Sequence, residues 1–127
     1  MTVVLDASAL LAWLIDEPGA EIVDNLLPDA VMSSLNWSEV VQKAIAREVD
    51  VTGFRVDMES TGLRILPFNK ADAERAALLW MMDNSLSLAD RACLSLALEN
   101  KWATWTADRH WTRVSMDVEV HLIRHKE

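Results

Sequence analysis

Short apolar runs alternate along the chain with longer amphipathic stretches. The apolar runs are of strand type and lie at residues 3–5, 30–34, 63–68, 103–106 and 118–123. The stretches between the first four runs carry apolar residues at every third or fourth position, which is the period of a helix. The pattern therefore predicts five strands, the first four of them separated by helices.

The helical stretches differ in how clearly they begin and end. Pro18 stands near the start of one of them, where the missing N–H of proline is tolerated, and Gly53 interrupts another. The segment 108–111, "DRHW", predicts a turn or a short helix. The six predicted helices cover residues 8–15, 18–27, 36–49, 51–61, 69–85 and 87–101.

Strands that are separated by helices cannot pair as hairpins, so they favour a mostly parallel sheet with helices on both faces. The prediction is an α/β fold, an α/β/α sandwich around a five-stranded sheet. The chain has 127 residues and shows no repeat, low-complexity tract or linker-like run. We therefore expect a single domain over residues 1–127.

Composition narrows the class of protein. Hydrophobic residues make up 51% of the chain and charged residues 25%, which suits one core with a solvated surface. No apolar stretch approaches the roughly 20 residues of a membrane span, and the start "MTVVLD" lacks the basic region of a signal peptide. The single cysteine, Cys93, cannot form an internal disulfide. A cytoplasmic protein with no membrane partner is expected. The net charge of −8 argues against a basic, nonspecific nucleic-acid binder.

Acidic residues follow the predicted strands. In a parallel sheet the working site lies beyond the carboxyl ends of the strands. Asp6 follows the first strand, Glu39 lies one turn into the helix after the second, and Asp108 follows the fourth. Asp90 lies at the start of the helix that leads into the fourth strand. We therefore expect four carboxylates from distant parts of the chain to converge at one edge of the sheet.

Each of these acids also has a purely structural interpretation as part of a helix cap or a turn. The alternatives are Asp6 as an N-cap, Asn36 with Glu39 and Ser87 with Asp90 as capping pairs, and Asp108 as the start of a turn. Taken singly, the structural role is the stronger interpretation for Glu39, Asp90 and Asp108. The convergence of all four favours a functional site.

Carboxylates gathered this closely repel one another unless they bind protons or cations. Oxygen ligands of this kind are typical of Mg²⁺ or Mn²⁺. The chain has no Cys/His cluster with the spacing of a zinc site. The sequence therefore predicts a magnesium or manganese site with Asp6, Glu39, Asp90 and Asp108 as its ligands.

Four segments that hold these acids resemble the PIN domain, and in particular the VapC-like toxins of toxin–antitoxin systems. The segments are "VVLDASALLAW", "NWSEVV", "SLADRACLSLAL" and "TWTADRHW", in the order of the family. Each is weak alone, but together they span essentially the whole chain. Trp105 departs from the family, which usually has an aliphatic residue there, and this concerns local packing and not the acids.

The resemblance implies a metal-dependent ribonuclease in which the four acids are catalytic. It further implies supporting hydroxyls at Thr106 and, more loosely, Ser8. A homodimer and a cognate antitoxin whose C-terminal segment covers the active-site groove are also implied. An antitoxin arginine placed against the acids would be the simplest contact.

Cationic and aromatic residues near the acids are candidates for substrate contacts. Two interpretations of the arginines stay open, because they could hold RNA phosphates or pair with the site acids. Two tryptophans beside the acids are candidates for a substrate rim. The residues are Arg91, Arg109, Arg113, Trp37 and Trp111.

Two other classes of protein compete with a ribonuclease. A catalytically silent PIN-like binding module would have no need to retain all four acids. A receiver-type phosphoacceptor domain would need an adjacent acidic pair after the first strand and a late lysine, and the chain has neither at Asp6 or at "TWTADR". A nucleotide-binding fold is weaker still, since no glycine-rich loop follows the first strand.

Overall fold

A computed structural model describes residues 1–113 and 116–124, apart from the side chains of Thr112 and Arg113. Its five-stranded sheet is entirely parallel, with the order β3-β2-β1-β4-β5. The strands are β1 (Val3–Leu5), β2 (Ala30–Ser33), β3 (Arg64–Leu66), β4 (Ala103–Thr106) and β5 (Val120–Leu122). The first strand therefore lies at the centre of the sheet, and all carboxyl ends face the same edge.

The described residues form six α-helices between these strands and two short 3-10 helices, at Leu27–Asp29 and Arg109–Arg113. The α-helices are α1 (Ala7–Leu14), α2 (Ala20–Leu26), α3 (Ser34–Ala46), α4 (Phe54–Glu59), α5 (Lys70–Leu79) and α6 (Leu88–Asn100). None of the helices in the described part of the chain is both long and apolar enough to cross a membrane.

The core has two halves, one on each face of the sheet. Along β1, Val3 and Leu5 pack into one half and Val4 into the other, as the alternation of side chains along a strand requires. Helices α1 to α4 supply the first half and α5 and α6 the second. The predicted α/β/α sandwich with a parallel five-stranded sheet is confirmed.

Several predicted helix boundaries differ from those in the structure, and at two of them a side chain explains the difference. Helix α3 begins at Ser34 with Ser33 as its N-cap, whose hydroxyl accepts a hydrogen bond from the amide of Leu35 at 3.2 Å. Asn36 is therefore inside the helix and does not cap it. Helix α5 ends at Leu79 and not at residue 85. Asp83 there accepts bonds from the amide and the hydroxyl of Ser85, a local turn that competes with the helix.

Candidate functional site

Asp6 occupies the junction between β1 and α1. Its backbone is extended, and its Oδ1 accepts a hydrogen bond from the amide of Ala9 at 2.9 Å. Asp6 is therefore the N-cap of α1, as its structural interpretation predicted. The side chain is nevertheless only 5% exposed. A carboxylate this deeply buried needs more than a capping role to explain its position, because burial of a charge is costly.

Two hydroxyls hold the carboxylate of Asp6. Ser8 Oγ donates to Oδ1 at 2.8 Å, and Thr106 Oγ1 donates to Oδ2 at 2.6 Å. Each hydroxyl also accepts a backbone amide at 2.9 Å, from Ala107 and from Asp108 respectively. The amides occupy the acceptor side of each hydroxyl, so its proton is directed toward Asp6. The predicted positions of Ser8 and Thr106 beside the acids are therefore found, while their role in catalysis stays a prediction.

The pKa of Asp6 is raised from 3.8 to about 6. Burial is the largest cause, and the negative charge of Asp90 adds to it. The hydrogen bonds from Thr106, Ala9 and Ser8 act in the opposite direction. None of the ion pairs in the described part of the chain includes Asp6. The buried carboxylate is therefore solvated by neutral donors, and no cation among the described residues balances its charge.

Asp90 is the third residue of α6 and forms a capping box with Ser87. Its Oδ2 accepts the amide of Ser87 at 3.2 Å, and its own amide donates to the hydroxyl of Ser87 at 3.1 Å. This predicted capping pair is confirmed. The cap fixes the Asp90 carboxylate at the first turn of α6, where its charge acts on Asp6.

Glu39 lies in the second turn of α3 with its side chain 32% exposed. Its Oε2 is 3.4 Å from Nζ of Lys43, one helical turn further on. Such a partly solvated pair contributes little to stability. Glu39 can therefore exchange this partner for another cation at small cost.

A buried thiol shows that three of the acids converge. Cys93 on α6 is fully buried, and burial raises its pKa well above the ordinary value. The charges of Asp6, Asp90 and Glu39 all raise this pKa further. Because electrostatic effects fall off with distance, these three carboxylates all lie within electrostatic range of Cys93.

Asp108 is joined to this group through its backbone only. Its amide donates to Thr106, but its exposed carboxylate turns to accept the amide of His110 at 2.9 Å. The Asp108 charge contributes to the pKa shift of neither Asp6 nor Cys93. The predicted turn role of Asp108 is thus found, and its role as a fourth ligand stays a prediction.

The acids offer the oxygen donors that Mg²⁺ or Mn²⁺ prefers. Asp6 has no balancing cation within residues 1–113 and 116–124. In the residues that the structure describes, however, no three Asp, Glu, His or Cys side chains are arranged so as to hold a metal ion. A bound ion would therefore have to draw the side chains of Glu39 and Asp90 toward Asp6. Glu39 has the longest and most flexible of these side chains.

The three candidate arginines lie in different environments. The half-buried guanidinium of Arg91 donates to the carbonyls of Ala76 at 2.9 Å and Leu86 at 3.4 Å, so it ties α5 to the segment before α6. It pairs with none of the site acids. Arg109 is exposed on the 3-10 helix that follows Asp108. The side chain of Arg113 lies outside the described residues.

Of the two candidate tryptophans, only Trp37 reaches the surface. Trp111 is 1% exposed and packs with the residues of α6, so its predicted place on a solvent-facing rim is wrong. The 3-10 helix directs the indole of Trp111 into the half of the core that α5 and α6 supply. Trp37 is half-buried, and one face of its ring stacks on Phe54 at 5.1 Å. It remains the aromatic candidate for a substrate or partner contact.

Asn36 is a buried polar residue for which the sequence predicts only a capping role. Its side chain is 2% exposed, and its Nδ2 donates to the carbonyl of Ala89 at 2.9 Å. The sequence does carry a signal for this inward position. Asn36 lies four residues before Val40, a core residue, and residues four apart share one face of a helix.

The family profile of the PIN domain matches residues 3–116. The chain belongs to the PIN domain family. A comparison with curated protein sequences gave no match.

Solved structures with the same fold cover nearly the whole chain at low sequence identity. A toxin–antitoxin complex from Klebsiella pneumoniae is similar with a TM-score of 0.74 and 19% identity, over 98% of this chain and 100% of that one. VapBC2 from Rickettsia felis, bound to a DNA fragment from its promoter, gives 0.71 and 14%, over 96% and 98%. FitAcB from Neisseria gonorrhoeae gives 0.70 and 20%, over 98% and 100%.

Proposed function

We propose that this protein is a metal-dependent endoribonuclease and the toxin of a toxin–antitoxin pair, acting in the cytoplasm. Membership of the PIN domain family and the similarity to structures of toxin–antitoxin complexes support the proposal. The observation that carries it is the buried Asp6 carboxylate, which has no cationic partner among the described residues and lies within electrostatic range of Asp90. A silent binding module gains nothing from such a destabilising group.

Asp6, Glu39 and Asp90, with Asp108 beside them, would hold Mg²⁺ or Mn²⁺. When bound, such an ion lowers the pKa of a water molecule and offsets the charge that develops on the phosphate. The chain itself supplies the orientation of the ligands. Ser8 and Thr106 fix both oxygens of Asp6, and the capping box with Ser87 fixes Asp90.

Recognition of RNA would depend on few cations. With a net charge of −8, the protein should bind RNA weakly and with a marked dependence on salt. Arg109, which is exposed next to Asp108, would contact a phosphate beside the one that is cleaved. Arg91 serves the fold through its carbonyl contacts.

Cleavage of mixed RNA by the purified protein, with and without Mg²⁺ or Mn²⁺, tests the proposal. Hydrolysis by activated water predicts 5′-phosphate and 3′-hydroxyl ends, which end-mapping identifies. Asp6→Asn should remove nearly all cleavage, and Glu74→Gln, an exposed acid on α5, should not. Absence of cleavage with either metal, by a protein that still folds, would favour the silent binding module.

The antitoxin is proposed to place a basic segment against the acids. Asp6 has no cation in the described part of the chain, and an arginine would supply one through a charge-assisted bond. Trp37, half-buried and two residues before Glu39 in α3, would provide the apolar contact that such interfaces need.

A homodimer is proposed on the basis of exposed apolar side chains at the end of α5 and the start of α6. Soluble monomers seldom expose such a group together. These side chains are between 51% and 77% exposed and belong to Leu78, Trp80, Met81, Met82 and Leu88. Light scattering after size exclusion should give twice the chain mass for the wild type and a lower mass for Met81→Ser. A wild-type monomer at high concentration would contradict the dimer.

A further inference from the structure

The amide of Asn36 joins the first turns of two helices that carry site acids. Asn36 is the third residue of α3, and Ala89 is the second residue of α6. The bond from Nδ2 to the carbonyl of Ala89, at 2.9 Å, spans 53 positions of the chain. Because a carbonyl can only accept, this contact also fixes which end of the amide is nitrogen.

Both acids follow the bonded residues closely along the chain. Asp90 directly follows Ala89, and Glu39 is three residues after Asn36, on the same face of α3. Resting on the proposed function, we infer that Asn36 is a positioning residue that sets the separation of Glu39 and Asp90.

The stability of α3 alone does not explain a buried asparagine here. Ser33 already caps the helix through the amide of Leu35. A leucine of similar size would fill the space without a polar group to satisfy, since burial of an amide costs free energy unless it is bonded. The hydrogen bond between the helices, and not packing, therefore explains why an asparagine stands at this position.

The other end of the amide is unsatisfied. Oδ1 of Asn36 is buried and has no hydrogen-bond partner in the described structure. A buried acceptor of this kind takes a hydrogen bond from an ordered water when one fits. The amide that spaces the two acids therefore also offers an acceptor for a water between α3 and α6.

The test compares Asn36→Leu with Ser33→Ala. Both substitutions act on the first turn of α3, but only Asn36→Leu breaks the bond to α6. Hydrogen exchange without metal should quicken at residues 88–92 in Asn36→Leu only, whereas Ser33→Ala should affect α3 alone. Unchanged exchange at residues 88–92 in Asn36→Leu would overturn the inference.

The second measurement is the Mg²⁺ dissociation constant, obtained from the dependence of the melting temperature on Mg²⁺ concentration. It should increase at least tenfold in Asn36→Leu and stay within twofold in Ser33→Ala, with RNA cleavage falling in parallel. Wild-type values in Asn36→Leu would also overturn the inference. If the wild type neither binds Mg²⁺ nor cleaves RNA while exchange at residues 88–92 still quickens, the proposed function fails and the link between the helices stands.

Discussion

The hydroxyl of Thr106 donates to Oδ2 of Asp6 at 2.6 Å, across 100 positions of the chain. The two residues meet because β1 and β4 are adjacent and parallel, so that both side chains leave the same edge of the sheet. Thr106 also accepts the amide of Asp108. The buried hydroxyl of Thr106 thus connects Asp6, the most buried acid of the site, to the loop that carries Asp108, the most exposed one.

Thr106→Val should raise the pKa of Asp6 above about 6, because one of the groups that stabilise the charged form is removed. The free energy of unfolding should fall by about 1–3 kcal/mol, since the amide of Asp108 also loses its partner. Carboxyl NMR titration measures the pKa. Thr106→Ser, which keeps the hydroxyl, should restore the wild-type value. Thr104→Val, at another buried threonine, should leave the titration of Asp6 near its wild-type midpoint.

Asp6→Asn should stabilise the protein at neutral pH. The folded pKa of about 6 exceeds the ordinary 3.8, so the folded state binds the proton more tightly and the free energy of unfolding falls as pH rises between these values. At pH 7.5 the charged form costs up to about 3 kcal/mol. Asparagine keeps the helix cap without that charge. The melting temperature should therefore exceed that of the wild type at pH 7.5 and match it near pH 4. A variant less stable than the wild type at pH 7.5 would contradict this.

Divalent metal should stabilise the fold by mass action, by about 2.7 kcal/mol at a hundred times the dissociation constant. Melting temperature should climb with Mg²⁺ or Mn²⁺ and not with Na⁺ at the same ionic strength. Because the metal competes with the proton on Asp6, the required concentration should rise as pH falls below about 6. Identical Mg²⁺ and Na⁺ titrations would argue against a metal site.

Asp90→Asn and Ser87→Ala separate the charge of Asp90 from its capping role. Asparagine can still accept the amide of Ser87, so Asp90→Asn should retain stability and lose cleavage. Ser87→Ala should reduce the free energy of unfolding by about 1 kcal/mol and retain cleavage below the melting transition. Calorimetry and an RNA cleavage assay distinguish the two. Equal loss of cleavage in both variants would mean that the cap, and not the charge, is required.

An arginine-bearing antitoxin peptide and Mg²⁺ should compete, because both neutralise the same carboxylates. The peptide dissociation constant should therefore rise as Mg²⁺ is added, as measured by calorimetry. Trp37→Ala should weaken the peptide more than Lys126→Ala, a change at a residue outside the described part of the chain. A peptide that binds equally at all Mg²⁺ concentrations, and is indifferent to Trp37, would place the partner elsewhere.

Local patterns in the sequence determined the elements and their order. Short apolar runs predicted the strands, and stretches of period 3.6 predicted the helices. Their alternation favoured a parallel sheet with its carboxyl ends at one edge. That rule placed Asp6, Glu39 and Asp90 together, and the capping pair of Ser87 and Asp90 needed only their spacing. These features depend on contacts within a few residues or on chain connectivity.

Only the tertiary structure decided what each side chain contacts. Trp111 lies in the core, and Arg91 donates hydrogen bonds to two backbone carbonyls. Neither contact follows from the local sequence, because the direction of a side chain on a short 3-10 helix or at a helix start is set by distant neighbours. The spacing of Asn36 and Glu39 predicts a cap, whereas the partner of Asn36 in the structure, Ala89, lies 53 residues away. The raised pKa of Asp6 has the same origin: burial, its largest cause, is produced by the packing of the whole sheet and its helices.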